Sequence, residues 1–212
     1  MEASPLSGEV FGALINLSGR RRFTSQRLVL YAVLASQGQP EAVATAREAL
    51  TLFRNAHHTL VNGNDSLPGI FCSELQEAYY GRLSGAAQIA GFIELAERAL
   101  DAAERGARTA PALLAELVEI TTPVLAVLNQ ITSIYEELSK RHAVQMKKQL
   151  RSVITDIETI ARQAKMVSFN ARVIAARAGQ AGKEFAVVAG VLSNITTEID
   201  DMVKTALSAA SA

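Results

Sequence analysis

The stretch IARQAKMVSFNARVIAARAGQAGKEFAVVAG, from Ile160 to Gly190, decides the fold. Its apolar residues recur in alternating steps of four and three on both sides of a short segment that holds Gly179 and Gly182. This alternation is the heptad rule of a coiled coil, and glycines permit a tight reversal of the chain. The stretch therefore predicts two helices joined as an antiparallel hairpin, with its tip near residues 179–184.

The heptads continue on both sides of the tip and predict how the two helices pair. The first seam consists of Val153, Ile157, Ile160, Ala164, Val167, Ala171, Ile174 and Ala178, and the second of Phe185, Val188, Leu192, Ile195, Ile199, Met202 and Ala206. Folding about Ala181 sets Ala178 against Phe185 and Ala171 against Leu192, a small residue against a large one. One hairpin covers only one side of each helix, so we expect two hairpins to form a dimeric four-helix coiled coil.

A longer seam upstream predicts that the first helix of the hairpin begins near residue 110. Its members are Leu113, Leu117, Ile120, Val124, Val127, Ile131, Ile134 and Leu138. After Ile134 every step is four residues, through His142 to Leu150, which is typical of a coiled-coil stutter. We expect this break to separate a first domain at 1–145 from a second domain at 146–212.

Glycine and proline mark the remaining helix boundaries. Gly38 and Pro40 end one helix and open the next, and Asn62–Gly69 is the strongest loop signal in the chain. The predicted helices lie at about 6–37, 41–61, 73–106, 110–178 and 184–209. The fold class is therefore all-α, with a four-helix-bundle sensor domain that continues through a long helix into the hairpin.

Composition argues for a soluble cytoplasmic protein. The chain has 21 Lys and Arg against 21 Asp and Glu, so no global field directs it to nucleic acid or an anionic membrane. Cys72 is the only cysteine, which fits a reducing compartment. The first residues lack a signal-peptide pattern, and no apolar run approaches the roughly 20 residues of a membrane-spanning helix.

The sequence offers no pattern for an enzyme, a cofactor or a metal. There is no arrangement of nucleophile and base, no glycine-rich phosphate loop and no paired carboxylates. His57 and His58 are adjacent, so on a helix they diverge by about 100° and cannot bind one metal together. We expect neither catalysis nor a metal site.

The hairpin tip resembles the signalling tip of methyl-accepting chemotaxis receptors, without a gap. The matching groups are NA at 170–171, AARAG at 175–179, Gly182, and FAVVA at 185–189. The resemblance implies that the tip binds a chemotaxis histidine kinase and its coupling protein. The residues expected to contact these partners are Asn170, Arg177, Lys183, Phe185 and Val187.

The N-terminal sequence INLSGRRRFTSQR, Ile15 to Arg27, is similar to the first-helix signature of type IV pilus chemotaxis transducers (PilJ-like) and of nitrate sensors of the NarX and NarQ type. The pattern from Phe53 to Gly63, followed by Leu67–Pro68, fits the second half of that domain. The resemblance implies a small anion as ligand, nitrate or nitrite first.

Four arginines lie within two turns of this first helix. Arg20 and Arg27 share one face, while Arg21 and Arg22 lie to its sides. If two first helices pair across a dimer axis, guanidinium forks from both chains can hold a planar oxyanion. The predicted ligand-binding residues are Asn16, Gly19, Arg20, Arg22 and Arg27, with Arg22 the first choice for direct contact. A solvated basic stripe, or pairing with Glu on helices two and three, is the simpler alternative.

Two functional hypotheses follow. In the first, the chain is a homodimeric chemoreceptor-like transducer, in which anion binding shifts helix one against the long helix and the stutter passes the shift to the tip. In the second, it is a ligand-independent decoy or spacer that binds the kinase complex, because Ile174 and Arg162 replace the Glu and Phe usual in the family. An anion-dependent thermal shift would favour the first hypothesis.

Overall fold

The computed structural model describes residues 6–209 of the 212. The two ends, 1–5 and 210–212, belong to the predicted domains but lie outside the described residues. The helices are α1 Gly8–Ser36, α2 Ala42–Asn62, α3 Ser73–Tyr80, α4 Gly85–Glu104, α5 Ala110–Arg177 and α6 Lys183–Ala209, with a 3-10 turn at Gly179–Gly182. The described residues contain no strand, and the predicted all-α fold is confirmed.

The prediction of one helix at 73–106 is wrong, because the chain breaks between α3 and α4. Gly81 ends α3 by donating its N–H to the carbonyl of Glu77 at 2.8 Å. The Glu77 carboxylate then accepts the N–H of Arg82 at 3.2 Å, and a Cβ on Gly81 would collide with that carboxylate. Ser84 has a left-handed φ of 49°, which turns the chain before α4 begins. The spacing of apolar residues in the sequence does not reveal this side-chain contact, so it could not predict the break.

The chain divides into two compact units, residues up to Arg141 and residues from His142. The first contains α1 to α4 and the beginning of α5; the second contains the rest of α5, the 3-10 turn and α6. The division falls in the stretch where the heptad steps of the sequence break. The functional assignment of a sensor domain to 1–145 and a signalling domain to 146–212 stays a prediction.

The first unit is a helical bundle with a single apolar core. Helix α1 packs on α2 and α4, α2 packs on α4, and α3 packs on α4. Phe53 and Phe92 meet edge to face with their ring centroids 5.4 Å apart. The fully buried side chains of the core include Leu14, Leu28, Phe53, Leu60, Ile89, Phe92, Leu117, Leu128 and Ile131. Each such side chain contributes roughly 1.5–3 kcal/mol of apolar burial.

Helix α5 corrects the expectation about apolar runs. It contains an 18-residue window of mean hydropathy 1.7, of which 22% is buried, and is thus long and apolar enough to cross a membrane. The core helix of a globular protein can pass the same test of length and composition. Three apolar residues of α5, Leu117, Leu128 and Ile131, are fully buried in the core of the bundle.

The second unit is a helical hairpin whose buried residues recur every seven positions. They are Ile154, Ala161, Ser168 and Ala175 on α5, Gly182 in the turn, and Ala189, Thr196 and Val203 on α6. The hydroxyl of Ser168 donates to the carbonyl of Ala189 at 2.6 Å. A Cβ on Gly182 would collide with the carbonyl of Ala175. The helices therefore meet through small residues that allow a close approach.

The predicted pairing about Ala181 is wrong. The contact between Ser168 and Ala189 centres the reversal between Ala178 and Gly179. The physical reason is that α5 ends at Arg177 and Gly179, with a left-handed φ of 57°, reverses the chain at once. Residues expected to face each other across the hairpin therefore do not.

The predicted seam residues lie instead on one outer side of the hairpin. On antiparallel helices, the residue preceding each buried position points to the same side of the pair. These positions hold Val153, Ile160, Val167, Ile174, Val188, Ile195 and Met202, which are 46–63% exposed. We call this set the apolar face. Another side is polar, where Lys165 and Asp200 form an ion pair at 3.7 Å.

The close approach at the tip makes Gly182 sensitive to substitution. Gly182→Ala should destabilise the hairpin by about 1–3 kcal/mol, because its Cβ meets backbone that cannot move aside. Gly190→Ala is the matched control, since a Cβ there meets nothing within 4 Å. Hydrogen exchange across residues 150–205 should accelerate in the first variant only. Equal exchange in both variants would contradict the observed pairing.

Candidate functional site

The predicted anion site lies on α1, beside a groove between α1 and α5. The groove has a volume of about 390 Å³ and is lined by Gly19, Arg22, Phe23, Gln26, Leu125 and Asn129. Nη1 of Arg22 donates to Oδ1 of Asn129 at 3.0 Å. A Cβ on Gly19 would lie 3.6 Å from Nη2 of Arg22, so this glycine leaves space beside the guanidinium. The structure thus brings two of the five predicted residues together.

The other three predicted residues are placed differently. Asn16 and Arg20 are exposed on α1. Arg27 is held towards α2, where Nη2 lies 3.2 Å from a carboxylate oxygen of Glu48, and its guanidinium lies 5.8 Å from the ring centroid of Tyr31. The simpler alternative of pairing with a glutamate therefore describes Arg27, while the anion-binding role of the others stays a prediction.

The outer face of α1 also carries large apolar side chains. Phe23 is 63% exposed and Leu30 is 55% exposed. The two are seven residues apart and so share one face of the helix, next to the exposed Arg20. Exposed apolar residues rimmed by polar ones are typical of protein interaction surfaces.

The Arg21 side chain points away from this outer face of α1 and is fully buried in the bundle. Its Nη1 donates to the hydroxyl of Tyr79 at 3.0 Å and to Nδ1 of His57 at 3.3 Å, and its Nη2 donates to Oγ of Ser18 at 3.1 Å. We call Ser18, Arg21, His57, Tyr79 and Tyr135 the arginine cluster. All of the partners are neutral, and none of the ion pairs in the described chain includes Arg21.

A pattern in the sequence indicates the arginine cluster. The inward seam of α1 runs through Leu14, Ser18, Arg21, Ser25 and Leu28, in steps of four and three. Three polar residues in succession therefore occupy core positions of a helix. Ser18 continues the network to α5, because its Oγ lies 2.8 Å from Oγ1 of Thr132, which donates to the carbonyl of Leu128.

Burial keeps two titratable groups of the arginine cluster, His57 and Tyr135, neutral. Burial first, and then the charges of Arg21 and His58, lower the pKa of His57 to about 4. Burial raises the pKa of the Tyr135 hydroxyl well above its ordinary value. At neutral pH His57 accepts the Arg21 bond through Nδ1 and carries its proton on Nε2. The guanidinium is therefore the only charge within the arginine cluster.

The predicted partner-binding residues of the tip are all exposed. They are Asn170, Arg177, Lys183, Phe185 and Val187. Asn170 and Val187 each lie two positions nearer the tip than the contact between Ser168 and Ala189. Two positions on a helix amount to about 200°, so both side chains point away from the neighbouring helix. Their accessibility suits a docking role, which stays a prediction.

The residues described by the structure contain no group of three or more His, Cys, Asp or Glu that could hold a metal ion. Cys72 is partly buried, and burial raises the pKa of its thiol. Neither observation places a metal site or a reactive thiol in the groove or in the arginine cluster.

Two family profiles match the chain. The profile of the methyl-accepting chemotaxis protein (MCP) signalling domain matches residues 93–208, and that of the type IV pili methyl-accepting chemotaxis transducer N-term (PilJ) matches residues 9–117. Each match covers more than half of the 212 residues. The resemblances to the chemotaxis-receptor signalling domain and to PilJ-like transducers are confirmed. No significant match is found among curated proteins or among solved structures.

The depressed pKa of His57 predicts acid sensitivity. Between pH 6.5 and about 4 the unfolded chain binds a proton at this residue and the folded chain does not, so stability falls as the pH falls through that window. The full loss is about 3 kcal/mol. Urea unfolding across the window should show this slope in the wild type and in His58→Gln. His57→Gln should flatten it, since its amide oxygen can still accept from Arg21; an unchanged slope would contradict the prediction.

Proposed function

Because the C-terminal part of the chain belongs to the methyl-accepting chemotaxis protein signalling-domain family and its N-terminal part to the PilJ family of type IV pili chemotaxis transducers, we propose a specific sensing role for it. Membership makes the chain a chemoreceptor-like signal transducer, and such families are in general non-enzymatic. The proposed role is that a homodimer binds a small oxyanion, nitrate or nitrite first, and thereby controls a chemotaxis histidine kinase through its coupling protein.

The observation that carries the proposal is the placement of Arg22 beside Gly19 at the groove. The guanidinium of Arg22 has one neutral acceptor, Asn129, at 3.0 Å. A charged oxygen forms stronger hydrogen bonds with a guanidinium than an amide oxygen does. An oxyanion can therefore displace Asn129, and the planar fork of the guanidinium matches the planar oxygens of nitrate.

A second copy of the chain completes the proposed site. The exposed Phe23 and Leu30 on α1 offer it an apolar contact, and the apolar face of the hairpin offers another. A two-fold axis beside Arg22 brings the Arg22 guanidinium groups of both chains together, so one anion receives donors from both. MCP domains generally work in dimers.

Two polar contacts join α1 to α5 near the site, and they suggest how binding acts. One is the contact of Arg22 with Asn129, and the other is the contact of Ser18 with Thr132. An anion on Arg22 releases Asn129, while the buried contact of Ser18 with Thr132 continues to hold α5 to α1. Helix α5 continues without a break to Arg177. The energy for any shift is the difference in anion affinity between the two states.

The proposed location is the cytoplasm, where MCP signalling domains act. There the exposed tip residues meet the kinase and the coupling protein, and the anion is an internal one. The balanced charge of the chain gives no reason to add nucleic acid as a partner.

Isothermal titration of the full chain with nitrate, nitrite and chloride tests the anion site. We expect selective, saturable binding of an oxyanion, at one site per dimer. Arg22→Ala should weaken it at least about tenfold, because a charge-assisted hydrogen bond is lost. Gly19→Ala should also weaken it, although alanine raises the stability of a helix by up to about 1 kcal/mol.

Gly12→Ala is the matched control for Gly19→Ala. Gly12 lies on the same helix, and a Cβ there meets nothing within 4 Å. It should gain the same stability and keep full affinity. Undiminished affinity in Arg22→Ala would disprove the site. If the wild type binds no anion yet captures the coupling protein, the ligand-independent decoy or spacer becomes the better hypothesis.

Substitutions at two valines of the hairpin test dimer formation and partner docking separately. Val167, on the apolar face, and Val187, outside it, are 61% and 67% exposed. Val167→Asp should convert the dimer to a monomer in sedimentation equilibrium. Val187→Asp should remain a dimer but lose capture of the coupling protein. A dimeric Val167→Asp would show that the apolar face is not the dimer interface, and full capture by Val187→Asp would remove that residue from the docking surface.

A further inference from the structure

The charge of Arg21 has no role in the groove, and no carboxylate among the described residues forms an ion pair with it. We propose that the interior of the first unit holds one small monovalent anion of halide type, bound to Nε of Arg21 and the hydroxyl of Tyr135. This site is separate from the groove of Arg22, which lies on another face of α1. It does not depend on the sensing role proposed above.

The first argument is electrostatic. Arg21 is 0% exposed, and a guanidinium keeps its charge at every accessible pH. Removing an unpaired charge from water costs several kcal/mol, which neutral hydrogen bonds offset only in part. The hydroxyls of Ser18 and Tyr79 and the ring of His57 supply bonds but no negative charge. An anion within the cluster supplies the missing charge.

The second argument is the pair of hydrogen-bonding atoms that remain. Within the described chain, two buried side-chain polar atoms have no hydrogen-bond partner, Nε of Arg21 and the hydroxyl of Tyr135. They belong to neighbouring groups, since Ser18 contacts both Arg21 and Thr132, and Thr132 lies about one turn of α5 before Tyr135. Nε can only donate, and a tyrosine hydroxyl can donate. Two unused donors beside a positive charge match an anion and exclude a cation.

The third argument concerns the size and charge of the occupant. Tyr79 and Tyr135 are both fully buried, so the occupant is closed off from bulk water. A divalent anion would exceed the single positive charge of Arg21 and leave a buried excess. A single-atom monovalent ion balances this charge at the smallest size, and it has no hydrogen that would need an acceptor. Chloride is the physiological candidate, and bromide is its heavier substitute for experiments.

Thermal unfolding of the full chain at constant ionic strength tests the site. Sodium gluconate, whose anion is too bulky for the interior, is replaced stepwise by sodium chloride or bromide. The unfolding temperature of the wild type should rise and saturate, because the ion binds only the folded state. Tyr135→Phe should move the midpoint to about tenfold higher halide, since one hydrogen bond to a charged group is lost.

Arg98→Met, at an exposed arginine of α4, and Arg21→Met form the matched pair of charge removals. The first should keep the halide response of the wild type, and the second should abolish it. A wild type without any halide response would overturn the proposal, and so would an unchanged midpoint in Tyr135→Phe. Should Arg21→Met fail to fold, anomalous scattering from crystals of the wild type in bromide decides. A bromide peak in contact with Nε and the Tyr135 hydroxyl supports the site, and its absence overturns it.

Discussion

The permanent charge of Arg21 inside the bundle is the constraint on which the first unit depends. A buried guanidinium must find acceptors in several directions, and here they come from three helices, α1, α2 and α3. The break at Gly81 makes α3 a short helix of its own, and that helix carries Tyr79. Ser18 extends the network to Thr132 on α5. One side chain thus fixes the relative positions of four helices at the same level of the bundle.

The inward direction of the Arg21 side chain also determines which residues of α1 face outward. Adjacent residues on a helix diverge by about 100°, so Arg20 and Arg22 must leave the core when Arg21 enters it. Arg22 then reaches Asn129 on α5 from outside, while Ser18 reaches Thr132 on the same helix from inside. Two polar contacts therefore join α1 to α5, one exposed and one buried. The anion proposed for Arg22 would replace the exposed contact and leave the buried one intact.

Sequence alone predicted the helical fold, the loop at Asn62–Gly69 and both families, because each rests on local spacing or on a long motif. It could not choose the inner face of the hairpin. Val153, Ile160, Val167 and Ile174 recur every seven residues, and so do Ile154, Ala161, Ser168 and Ala175, one position further on. Periodicity treats the two sets alike, and only the small side chains of the second set permit the close contact. The burial of Arg21 could have been predicted from the sequence, since Arg21 occupies a seam position between Ser18 and Ser25.

The choice of small residues for the inner face has an energetic consequence. Contacts through Ala161, Ala175, Gly182 and Ala189 allow close approach but remove little apolar surface from water. Seven large apolar side chains of the hairpin lie on the apolar face, 46–63% exposed. At about 25 cal/mol per Å² of apolar surface, most of the burial energy open to this segment would come from the second copy proposed above. In the proposed dimer, hairpin folding and dimer formation are one coupled equilibrium, whose stability depends on protein concentration.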